Sequence, residues 1–202
     1  MFTNYERYLR FINSKIDKFF ERQKPYIFCQ KGCAKCCKNA EFPFSLIELK
    51  YLLAGFLTLD KETQNIIEAN LAKLRKEREE FKGENFRYDC PFLINDVCSV
   101  YEYRGVICRS FGLLSTGLDG RVKVPFCCYE GYNYSNVIDM ETKMISAEKV
   151  KTGNFPEQPL AFNVTYKYLT DPDFEKEFNF QFGDKKPLID WFTGPIEDKP
   201  KN

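Results

Sequence analysis

All nine cysteines fall in four short clusters, and the chain has no histidine. The first cluster is Cys29, Cys33, Cys36 and Cys37; the second pairs Cys90 with Cys98; the third is Cys108; the last is Cys127–Cys128. Cysteines that only fill a core scatter singly along apolar faces. Thiolates gathered in this way suit a metal centre, and all-sulfur ligation suits zinc, iron or an iron–sulfur cluster.

The spacing carries more detail. On a helix, Cys29, Cys33, Cys36 and Cys37 would fall within about a quarter of the circle. Gly32 interrupts such a helix, so a helix-to-knuckle transition is an equal alternative. Cys33 and Cys36 have the two-residue gap with which two thiolates grip one ion while backbone amides face the sulfurs. Neighbouring side chains diverge, so the pairs Cys36–Cys37 and Cys127–Cys128 either serve different metals or leave one thiol free. Nine thiolates allow two four-sulfur sites or one polynuclear cluster.

Thiolate charge has to be offset by N–H groups and cations. Lys31, Lys35, Lys38, Arg104 and Arg109 lie in or beside the clusters. Arg109, next to Cys108, and Arg104 are the expected neighbours of the ligands. Without histidine, the commonest general base is missing. Tyr101 and Glu102 are the only catalytic candidates beside the cluster, and surface and packing roles explain them better.

The elements that position these thiols are mostly helical. Residues 4–22 place Tyr5, Tyr8, Leu9, Ile12, Ile16, Phe19 and Phe20 at helical spacing, ended by Pro25. Ser45-Leu-Ile-Glu48 is a capping box that starts a second helix, with Leu46, Leu49, Leu53 and Phe56 as its stripe. Residues 61–82 form a third, with Ile67, Leu71, Leu74 and Phe81 on one face and Gly83 as the stop. Between Cys90 and Cys128 the pattern is weak: a short strand at 92–94, a turn at Asn95-Asp96, a helical turn in 99–104 and a strand at 121–126. Residues 129–202 carry many rings, expected to pack across the helices and over the metal site, a ring-lined substrate groove being the alternative, with a frayed polar end at 197–202. The expected fold is mainly α with short β segments, helices packed around a cysteine-ligated metal centre and an irregular, metal-organised middle segment. One domain, 1–202, would hold a 29–128 core and a 129–202 aromatic extension.

Cys-x3-Cys-x2-Cys-Cys, Cys90-Pro-Phe-Leu, Cys98-Ser-Val-Tyr-Glu-Tyr-Arg104 and Cys108-Arg-Ser-Phe occur in order. Over residues 29–128 this resembles the YkgJ-like cysteine-cluster family, whose members are described as candidate zinc- or iron-chelating proteins. The resemblance implies metal ligation by the clustered cysteines. Proteins similar to a flagellin lysine methylase, and some labelled Fe–S oxidoreductase, belong to that family. The chain departs from the pattern at Arg104-Gly105, where Arg-Pro is common, and in its longer first gap.

Basic and acidic residues nearly cancel, 30 against 29, which gives no electrostatic case for nucleic acid or an anionic membrane. The start of the chain lacks a secretory layout, and its longest apolar stretch, 45–59, is interrupted by Glu48 and Lys50. The expectation is a soluble cytoplasmic protein whose partner is a metal ion. The readings are a metal-binding protein, an iron–sulfur enzyme of redox or methyl-transfer chemistry on a protein or peptide, and a thiol-redox or disulfide protein. The odd cysteine number and the reducing compartment disfavour the last.

Overall fold

The structure is a computed structural model, and it describes residues 2–30, 32–117 and 119–193. The frayed end expected at 197–202, and Lys31 as a cation beside the first cluster, lie outside the described residues.

Helix α1 spans Thr3–Arg22 and buries Tyr5, Tyr8, Leu9, Ile12 and Ile16, the stripe its periodicity predicts. It stops three residues before Pro25. That proline opens a 3-10 turn, Lys24–Tyr26, which swings the buried Tyr26 inward. Strand β1 (Pro43–Ser45) leads into α2 (Leu46–Phe56), where the predicted capping box is formed. The fully buried α2 residues are Glu48, Leu49, Leu52 and Gly55. Of the predicted stripe only Leu49 is fully buried; Leu46, Leu53 and Phe56 pack at the margin. The apolar face is rotated because Glu48 turns inward as well. Helix α3 (Lys61–Glu80) starts at Asp60, whose carboxylate accepts the Thr63 N–H at 2.9 Å. It buries Ile67 and Leu74 and ends at Phe81, before Gly83.

The weakly patterned middle is built from short pieces. Strands β2 (Leu93–Ile94) and β3 (Val97–Cys98) form a hairpin. Asn95 and Asp96, at φ 50° and 60°, supply the left-handed pair that a two-residue turn needs. A 3-10 turn, Tyr101–Tyr103, precedes α4 (Val106–Ser110). Helix α4 carries Cys108 and has no clear sequence signal. Strands β4 (Ser115–Thr116) and β5 (Val122–Lys123) pair next. The expected strand at 121–126 is reduced to β5, because residues 126–130 wind into a 3-10 turn.

The ring-rich remainder contains α5 (Ala147–Thr152), α6 (Tyr166–Leu169), α7 (Pro172–Phe178) and β6 (Lys185–Pro187). Phe174, Phe178, Phe180 and Phe182 surround Tyr8 of α1 at centroid distances of 5.3–5.7 Å. Phe162 stacks on Phe19 at 4.1 Å. Burying each such side chain contributes about 1.5–3 kcal/mol, so these rings bind the tail to α1. Strand β6 pairs antiparallel with β1, Phe44 opposite Lys186. Among the described residues the fold is thus mainly helical with short strands.

Candidate metal centre

Three of the four cysteine clusters face one cavity of about 710 Å³. Its thiols are Cys29, Cys33, Cys36, Cys37, Cys90, Cys98 and Cys108. Phe42, Phe44, Leu52, Phe92 and Leu188 form its apolar wall, and Arg104 and Arg109 complete it. From the tail, Leu188 backs this wall; most tail rings lie on α1 instead.

Local structure explains how separated residues reach one place. The first cluster is a knuckle and not a helix. Gly32 sits at φ 89°, Cys33 follows in irregular backbone, and a 3-10 turn covers Lys35–Cys37. Its end is stitched to the second cluster: Cys90 N–H donates to the Cys37 carbonyl at 2.8 Å, and Ala40 bridges Tyr88. Lys38 pairs with Asp96 of the hairpin turn, and Lys35 with Glu130 at 2.7 Å. These two lysines, expected to offset thiolate charge, dock neighbouring elements through carboxylates.

Cys108 is placed through Glu48. This carboxylate is 1% exposed. Oε2 accepts from the Ser45 N–H and hydroxyl and from the Tyr166 hydroxyl at 2.7–2.8 Å, while Oε1 accepts the Val106 N–H at 2.8 Å. Desolvation pushes its pKa up, and these donors oppose the rise. The helix-capping residue visible in the sequence therefore also anchors the first residue of α4. Gly105 lets it approach. A Cβ there would meet the Phe44 ring at 2.7 Å and Glu48 Oε1 at 3.0 Å. Glycine, where Arg-Pro is common, thus makes room for this contact. The backbone is at φ −62°, so space and not conformation requires the glycine.

The nine thiols are all free. Burial raises Cys90 and Cys98, and pushes Cys108 and Cys127 up to about 12. Cys36 is raised first by its contact with Cys37, sulfur to sulfur 3.9 Å, and then by burial. The backbone N–H groups of Phe92 and Val100 favour the thiolates of Cys90 and Cys98. Amides two residues past a cysteine are suited to offset charge on a bound sulfur.

Arg104 lies beside Cys36, Cys98 and Cys108 and favours their thiolate forms. Its guanidinium carbon sits 3.6 Å from the ring centroid of Tyr101, and its buried Nε has no hydrogen-bond partner among the described residues. Arg109 is buried, but its donors go to the Glu102 and Arg104 carbonyls and to Asn13 Oδ1. It fixes the loop that presents Arg104. Tyr101 and Glu102, the catalytic candidates, are exposed; Tyr101 supports Arg104 at the cavity edge.

The last pair separates. Cys127 has Cys29, Cys33 and Cys36 as electrostatic neighbours. Cys128 is fully buried among Tyr26, Leu114, Tyr134, Val137, Ile138 and Val150, apart from the other thiols. A residue outside the cysteine clusters also reaches a sulfur: Asn133 Nδ2 donates to Cys29 Sγ at 3.0 Å. No motif or periodicity marks it in the sequence.

Soft thiols, amides aimed at two of them and an unpartnered guanidinium nitrogen fit a thiophilic metal. Among the described residues, no three donors stand close enough together to hold an ion without moving. They surround the cavity instead. No described helix is long and apolar enough to cross a membrane. No curated protein and no solved structure matches the chain. The CxxCxxCC family, described as "Putative zinc- or iron-chelating domain", matches residues 28–128, half of the chain. The chain, whose seven cavity thiols all come from that stretch, belongs to the CxxCxxCC family.

Proposed function

We propose that this protein binds zinc or iron through Cys29, Cys33, Cys36, Cys37, Cys90, Cys98, Cys108 and Cys127, with Cys128 a packing residue. The observation that carries this reading is the single cavity onto which seven thiols open. Arg104 and the Phe92 and Val100 amides supply the compensating charge, and Arg109 holds Arg104 in place. The whole chain acts as one cytoplasmic domain, 29–128 giving the core and the aromatic extension its backing.

A second reading, a polynuclear iron–sulfur centre in a redox or methyl-transfer enzyme, is favoured by the cavity's size. At about 710 Å³ it exceeds what one four-coordinate ion with 2.3 Å bonds needs. When bound, such a centre supplies electron transfer or an exchangeable coordination position. The chain's own residues bind it, exclude water with the Phe42, Phe44 and Phe92 wall, and place Arg104 against its charge.

Elemental analysis and an absorption spectrum of anaerobically purified protein test both readings. Stoichiometric zinc without colour supports the first; iron with sulfide and broad visible absorbance supports the second. Protein with neither metal and with all thiols titratable contradicts both.

A further inference from the structure

Asn133 lies outside the matched family stretch and is 0% exposed. Its carboxamide has a determined orientation. Oδ1 accepts the Phe28 N–H at 2.7 Å, and Nδ2 donates to the Gly112 carbonyl at 2.9 Å and to Cys29 Sγ at 3.0 Å. Flipping the amide would set donor against donor at Phe28 and oxygen against oxygen at Gly112, so the N–H that faces the sulfur is fixed. Gly112 leaves the room. At φ 100°, a Cβ there would come 2.7 Å from Nδ2 and 3.3 Å from Cys29 Sγ. The same turn carries Cys127: the Tyr132 N–H, one residue before Asn133, donates to the Cys127 carbonyl at 3.1 Å. Asn133 therefore ties the Cys29 sulfur to the turn that carries Cys127, joining opposite ends of the family stretch.

We propose that Asn133 is a positioning residue that makes Cys29 and Cys127 a ligand pair at one edge of the metal site. This rests on the metal-binding reading above. The side-chain N–H restrains the Cys29 sulfur and offsets its charge when bound. Cys127 is brought alongside by the turn 126–133, in which Gly131 N–H closes on the Cys128 carbonyl and Tyr132 N–H on that of Cys127. Cys29 needs such a restraint, because it is the exposed thiol of the set.

The full chain is loaded with cobalt(II), and its thiolate-to-metal absorption and rate of cobalt loss to a chelator are compared among wild type, N133D, C29S and the double variant. Asp keeps the acceptor for Phe28 but loses the donor to both Cys29 Sγ and the Gly112 carbonyl, so the unfolding midpoint of each variant is measured beside its metal loss. N133D should lose one metal equivalent about tenfold faster or more, with an altered thiolate band. In the C29S background, N133D should add nothing. Wild-type retention in N133D, or an equal further loss in the C29S background, overturns the proposal and leaves metal binding standing. A wild-type chain that takes up neither cobalt nor zinc overturns both. Should N133D not fold, alkylation mapping of the wild type decides: zinc should protect Cys29 and Cys127, which should become reactive together as chelator is added. Equal Cys29 alkylation with and without zinc overturns the pairing.

Discussion

Lys35 reaches Glu130 at 2.7 Å and stands over the Tyr132 ring at 5.4 Å. The first knuckle is thereby tied to the turn that holds Cys127. Both partners are partly exposed, so the pair adds little global stability. Its effect is local. K35E should speed metal loss from the Cys29–Cys127 edge with a nearly unchanged unfolding midpoint, and K35E/E130K should restore retention. Chelator-driven metal release measures both; a charge swap that restores nothing rules the tether out.

Replacing the adjacent cysteines one at a time should give opposite results. C127S is expected to lose bound metal at ordinary stability. C128S is expected to keep the metal but to cost about 1–3 kcal/mol, because a hydroxyl replaces a thiol in an apolar cluster. Metal content and urea unfolding of the two variants check this. Metal loss in C128S would show that it is a ligand.

Glu48 serves two helices. E48A strands the Ser45 and Val106 N–H groups and the Tyr166 hydroxyl, and should cost about 3 kcal/mol or more. Because Val106 opens the helix carrying Cys108, metal affinity should fall with it. L49A, on the helix of Glu48 and at a buried residue that does not line the cavity, offers the comparison: stability should drop while affinity holds better. Affinity unchanged in E48A would separate Glu48 from the site.

The raised thiols give the metal-free protein a pH signature. Cys108 and Cys127 rise from 9.0 to about 12. Above pH 9 the unfolded chain releases these protons while the folded chain keeps them, so stability falls with pH. The contribution is complete below about pH 9 and lost as pH rises through about 12. Metal-loaded protein has already displaced the protons and should lack this slope, and its metal affinity should fall as pH is lowered. Parallel unfolding curves of both forms between pH 8 and 11 (on the order of the range these pKa values span) test it.

Local signals carried the long helices. Tyr5 to Ile16 keep helical spacing because α1 packs on one side only, and Ser45 with Glu48 marks the start of α2 without tertiary information. Asn95-Asp96 likewise marks its turn. The knuckle at Cys29–Cys37 was not decided by spacing, since both conformations gather sulfurs; Gly32 at φ 89° decides it. The split between Cys127 and Cys128 depends on how a 3-10 turn is rotated against Tyr26 and Tyr134, which no local pattern encodes. Arg109 is a buried cation, as its place beside Cys108 suggests, yet its donors go to carbonyls. Asn133 is one polar residue among tyrosines, and only a contact 104 residues away gives it meaning.

Strand β6 and Leu188, which close the cavity behind β1, come about sixty residues after the last thiol. At 5–20 residues per second, a ribosome needs roughly 3–12 s to add them. Throughout that interval a nascent chain carries all its cysteines while Leu188 and β6, the last part of their wall, are still missing.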